Sequence, residues 1–119
     1  MLKLSKVSTV VMQVTMRLPT DNPHKFIEGT VDCRVKVPGR DQLNELLQRE
    51  LPDEELAPEL LLGVEGLGND EGVAYTGEEA LRQFLRGDWS TYLVAGFMRA
   101  FFEQFGDVRV KNSKASRGR

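Results

Sequence analysis

The 119 residues include 16 basic and 18 acidic side chains, one cysteine and one histidine, with 40% of the chain hydrophobic. A chain of this length reads as one domain, able to bury a core without metals or disulfides. The lone cysteine excludes an intramolecular disulfide and any cysteine-rich zinc site, the lone histidine weighs against a metal centre or a histidine-based triad, and no apolar run approaches the ~18 residues of a membrane span.

The small net charge of −2 conceals a segregation. Residues 1–108 hold 11 basic and 18 acidic residues, a balance of −7, whereas the five basic residues from Arg109 onward stand without an acid. Ten acids and no Lys or Arg lie between Arg49 and Arg82. This is an acidic body with a basic tail. No signal-peptide-like apolar region opens the sequence, so the chain is read as cytosolic.

Residues 1–6 read as a frayed start. From Val7 to Leu18 the pattern alternates, with Val10, Met12, Val14, Met16 and Leu18 on one face and Thr9, Gln13, Thr15 and Arg17 on the other. Period two with β-branched residues predicts a half-buried strand. The turn-rich PTDNPH, Pro19 to His24, ends it. A second alternating run places Ile27, Val31, Cys33, Val35 and Val37 inward. The two form an antiparallel hairpin with one wet face. Cys33 lies on the apolar side and reads as a core residue.

Arg40 to Leu51 carries Leu43, Leu46, Leu47 and Leu51 at helical spacing, and a helical turn is expected after Pro52. Leu60 to Leu67 (LLLGVEGL) reads as a third strand joining the hairpin. After a polar loop, Thr76 and Glu79 make a capping-box pattern that opens a helix closed by Gly87. The stretch Gly87 to Gly106 (GDWSTYLVAGFMRAFFEQFG) predicts one long helix, capped by Asp88 or Ser90 at its start and by Gly106 at its end. Val94, Phe97, Met98, Phe101 and Phe105 form its core stripe, while Trp89, Tyr92 and Phe102 fall beside it. Aromatic residues off the core stripe are candidates for a subunit or client contact.

Together these elements predict an α+β domain over residues 1–110. A small antiparallel sheet, the N-terminal hairpin plus a short third strand, is packed by about three helices. Residues 111–119 are small, basic and expected to be disordered.

Catalytic templates fail on residue supply. The only histidine sits in a turn, and the carboxylates between Asp53 and Glu79 spread over solvated turns. GVEGLGNDEG lacks the G-x-G-x-x-G and Walker spacings and the ligand alternation of an EF-hand. No catalytic, metal or cofactor site is expected. The basic tail has no interleaved aromatic residues, so nucleic-acid contact through it would be weak and salt-sensitive.

From Phe26 to Ser116 the order of pieces resembles the tail assembly chaperones of long-tailed bacteriophages. Two strands and a Leu-rich helix precede the glycine-rich acidic segment Gly63 to Gly72. The helical pair within Thr76 to Glu103 follows, and then a basic tail containing Lys111-Asn112-Ser113. The resemblance implies a non-enzymatic protein of the bacterial host cytoplasm, absent from the mature virion. It implies binding to the tape-measure protein, recruitment of tail-tube subunits, and a longer, frameshifted form of the same protein. Coating a long client calls for self-association into a ring or spiral. Trp89, Tyr92, Phe102, Lys111, Asn112 and Lys114 are the candidate partner-binding residues. The alternative from another class is a small nucleic-acid-associated or regulatory adaptor acting through the basic tail.

Overall fold

The computed structural model describes residues 1–4 and 8–105. The basic tail, Val108, Val110 and the expected cap Gly106 lie outside the described residues, as do residues 5–6 of the expected frayed start. Strands β1 (Thr9–Pro19) and β2 (Phe26–Lys36) form the hairpin. Met12 stands opposite Cys33 and Val14 opposite Val31, so the two inward-facing sets share one face. Side chains shape the turn between them. The Thr20 hydroxyl donates to the Lys25 carbonyl (2.9 Å), and the His24 amide donates to Asn22 Oδ1 (2.9 Å).

After the hairpin come α1 (Arg40–Gln48), α2 (Asp53–Leu60), β3 (Leu61–Glu65), α3 (Gly77–Arg86) and α4 (Ser90–Phe105). The sheet is antiparallel in the order β1-β2-β3, so the fold is α+β. β3 pairs with β2 through a bulge: Arg34 meets Gly63 while the next residue, Val35, meets Leu61. Leu62 is the extra residue, which lets Leu61 and Val64 both turn inward although they are three apart.

Helix α4 lies against the inner face of β1. Gly96 sets the approach: a Cβ there would stand 2.7 Å from Met16 Sδ. α2 and α3 pack on α4, burying Leu56, Ala57 and Leu60 from one and Ala80 and Phe84 from the other. Phe84 meets Phe97 edge to face at 6.2 Å, and Phe97 is followed by Phe101 at 6.1 Å. These three rings have no solvent exposure and form the centre of the core. No buried polar side chain dilutes it among the described residues.

The helical turn expected after Pro52 is a full helix, α2. Its apolar residues Leu56, Ala57 and Leu60 lie on one face and bury against α4, a gain that outweighs an internal proline, Pro58. Leu60 therefore closes α2 instead of opening the third strand. The long helix expected from Gly87 begins at Ser90. Gly87 ends α3, as expected, its amide donating to the Gln83 carbonyl (3.0 Å). A Cβ at residue 87 would lie 2.5 Å from that oxygen, which is why a glycine stands there. Neither Asp88 nor Ser90 makes a capping side-chain bond; the first α4 amides are taken by the Trp89 carbonyl, from Tyr92 (3.1 Å) and Leu93 (3.0 Å).

Thr76 is the N-cap of α3, but the expected capping box is not made. The Glu79 carboxylate points along the helix instead, accepting from Arg82 Nε (2.8 Å), Arg82 Nη2 (2.6 Å) and Gln83 Nε2 (3.2 Å). A charged, forked bond of this kind outcompetes a neutral capping bond. The hydrogen bonds from Arg82, then Gln83, hold the Glu79 carboxyl below its ordinary range.

Ile27, expected inward, is 60% exposed. It keeps the inward-facing parity, opposite Leu18, but lies at the turn end of the hairpin, beyond the buried stretch of β2. Leu18 and Val37 are likewise only half-buried.

α1 is shorter than its leucine spacing predicts. It stops at Gln48, and Glu50 adopts left-handed φ of 52° while its amide reaches the Leu47 carbonyl (3.1 Å). A side chain in that conformation costs about 1–2 kcal/mol. Glu50→Gly is therefore expected to raise unfolding stability by about 0.5–1 kcal/mol, the balance left after glycine's own entropy cost, measurable by urea denaturation.

Candidate partner-binding surface

Large apolar side chains left exposed on a folded body mark where a partner can gain from desolvation. Trp89 and Tyr92 are 45% and 47% exposed. Trp89 precedes α4 in the short link from α3, and Tyr92 sits one turn on, so their rings meet at 5.8 Å with planes at 50°. Two amphipathic rings held against one another have less side-chain freedom to lose on binding. The inward face of the helix contrasts with this head: Leu93, Val94, Gly96, Phe97, Met98 and Phe101 are all buried.

Phe102 does not belong to the same patch. It lies ten residues beyond Tyr92, about 15 Å along the helix axis. It is half-buried, edge-on to Phe101 at 5.6 Å, and packed against the core. The remaining candidates, Lys111, Asn112 and Lys114, lie outside the described residues.

A second apolar area lies on the outer face of the sheet. Val11, 53% exposed, stands directly opposite Arg34 on β2, and Leu62 protrudes at the β3 bulge. They line an open cleft of about 780 Å³ shared with Asp32, Arg34, Glu65 and Glu78. The Arg34 guanidinium leans toward β1, donating from Nη1 to Thr9 Oγ1 (3.4 Å). Asp32, Glu65 and Glu78 have no salt-bridge partner among the described residues, so carboxylates dominate the rim. Sequence reasoning passed over this face. Its one signal is Val11 itself, an apolar residue at an outward position of an otherwise alternating strand.

At the hairpin end, Phe26 is half-exposed with the Arg17 guanidinium 4.1 Å from its ring centroid. In the acidic loop, Asn69 Oδ1 accepts the amides of Glu71 (2.9 Å) and Val73 (3.0 Å), and the Tyr75 amide donates to the Leu67 carbonyl (2.8 Å). The Asn69 oxygen thus closes a tight turn.

Cys33 has no exposed surface. Burial, with the neighbouring Asp32 charge adding to it, pushes its thiol up from an ordinary 9.0 to about 12. The thiolate is the reactive species. Native protein at pH 8 is therefore expected to resist a thiol reagent that modifies the urea-unfolded chain at once. Because the folded thiol binds its proton more tightly, this contribution to stability is intact below pH 9 and is lost as pH rises from there toward 12.

Among the described residues no group of His, Cys, Asp and Glu side chains is arranged to hold a metal, and no helix is long and apolar enough to cross a membrane. Compared with protein-family models, with curated proteins and with solved structures, the chain matches none.

Proposed function

We propose that this chain is a tail assembly chaperone of a long-tailed bacteriophage or prophage. It binds the tape-measure protein stoichiometrically in the host cytoplasm, keeps it soluble and helps bring tail-tube subunits to it. The observation that carries this reading is the exposed Trp89–Tyr92 pair at the head of a helix whose other large apolar side chains are buried or half-buried. A long apolar-faced client is shielded by rings of this kind, because aromatic anchors concentrate binding energy in few contacts. The acidic run between Arg49 and Arg82 supports the same reading, since net negative charge keeps a chaperone with exposed apolar surface from precipitating. Many copies along one client, arranged as a ring or spiral, follow from the client's length.

The test is size exclusion with light scattering at two salt concentrations, with and without a co-expressed tape-measure fragment. Multimers that grow with concentration and carry the fragment, little changed by salt, are expected for an apolar contact. A strict monomer that leaves the fragment behind would overturn the reading.

A further inference from the structure

The end of α4 lies beside the edge of β1 that carries no partner strand among the described residues. Glu103 and Gln104 line one wall of a groove of about 360 Å³ whose other wall is Val10 to Gln13. Val11 lines both this groove and the cleft on the outer sheet face, so the two adjoin at the edge of β1. Residues 106–119 follow directly from this point, and their first apolar residues are Val108 and Val110. From Arg109 they carry five basic residues and no acid.

We propose that residues 108–119 dock back across the outer face of their own sheet, around the edge of β1 and into the cleft. The order along the chain matches the order across the face. Val108 and Val110 come first and meet Val11 at the β1 edge. Lys111, Lys114 and Arg117 come next, toward Asp32, Glu65 and Glu78, carboxylates without a salt bridge among the described residues. Length is no obstacle. Two strand spacings separate β1 from β3, ~10 Å, whereas residues 106–119 reach ~45 Å when extended. An intramolecular segment also acts at an effective concentration of order millimolar, which favours the protein's own tail over a second copy's. Docking would cover Val11 and Leu62 and neutralise the acidic rim. The contact is electrostatic and solvent-exposed, so it weakens with salt. This inference does not depend on the proposed function.

The experiment uses the full chain with Ser116→Cys carrying a nitroxide label, Cys33 being sealed in the core. The readout is the amide signals of the cleft residues Gly63, Gly66 and Gly77. Loss of their intensity is expected at ~0.02 M salt and recovery at ~0.5 M, where the Debye length falls to a few ångströms. Asn22, in the turn at the far end of the hairpin, should keep its signal. Lys111→Glu, Lys114→Glu and Arg117→Glu together should abolish the loss, and adding Glu65→Lys and Glu78→Lys should restore it. Mixing labelled chains with separately isotope-enriched ones distinguishes the occupant. Intensity loss confined to chains that carry both label and isotope supports the proposal. Loss between chains, which would assign the cleft to a second copy, or no loss at all, would overturn it.

Discussion

Replacing Phe97 with alanine is expected to destabilise the fold by about 3–5 kcal/mol, the cost of deleting a fully buried ring and leaving a cavity. Phe97 has no exposed surface and bridges two others, Phe84 on α3 and Phe101 on its own helix. Removing it opens the contact between α3 and α4 and the floor beneath the sheet together. Domains of this size are held by about 5–15 kcal/mol in all, so the variant should be close to unfolding at room temperature. Urea denaturation followed by circular dichroism measures the loss. Phe102→Ala is the internal comparison: its ring is half-buried, so its loss should be clearly smaller. Equal losses at the two positions would show that the core extends around α4 further than the burial pattern indicates.

The second large effect is on binding. Trp89→Ala with Tyr92→Ala is expected to leave stability within about 1 kcal/mol, because both rings are nearly half exposed and lie outside the Phe84–Phe97–Phe101 cluster. If the pair anchors a client, each ring contributes on the order of 2 kcal/mol, so each truncation weakens capture about 30-fold. Co-purification of a tape-measure fragment with the double variant, alongside a denaturation curve, separates the two readouts. Lost capture with the fold intact supports the chaperone reading. Intact capture assigns the client contact elsewhere, and a collapsed fold places the pair in the core.

The middle of the hairpin was legible residue by residue because a strand exposed on one side must alternate, whereas its ends, Ile27 above all, lie beyond the buried stretch. Met12, Val14, Met16, Val31, Cys33 and Val35 are buried as their parity requires. Most of the apolar stripe of α4 was legible for the same reason at period 3.6: Val94, Phe97, Met98 and Phe101 are buried, while Phe105 in the last turn is only half-buried. The caps were not. Thr76 and Glu79 have the spacing of a capping box, yet Arg82 takes the carboxylate, and local spacing does not rank two competing partners. Helix α2 was read as a turn because its short pattern, broken by Pro58, has little propensity; its buried face against α4 holds it together.

The candidate surface divides along the same line. That Trp89, Tyr92 and Phe102 fall beside the core stripe follows from counting along a helix. That the first two stack while the third rests on Phe101 depends on where α4 begins, and Gly87 settles that by closing α3. The outer sheet cleft is wholly a product of tertiary structure. Val11, Asp32, Leu62 and Glu78 are far apart in sequence, and only the β1-β2-β3 order and the β3 bulge bring them to one face. Periodicity and turn chemistry are local, so the sequence by itself determined the α+β class, the strand faces and the core stripe of α4. Which polar partners win and which apolar residues share a surface depend on contacts between distant segments, and those were decided by the packing of the helices on the sheet.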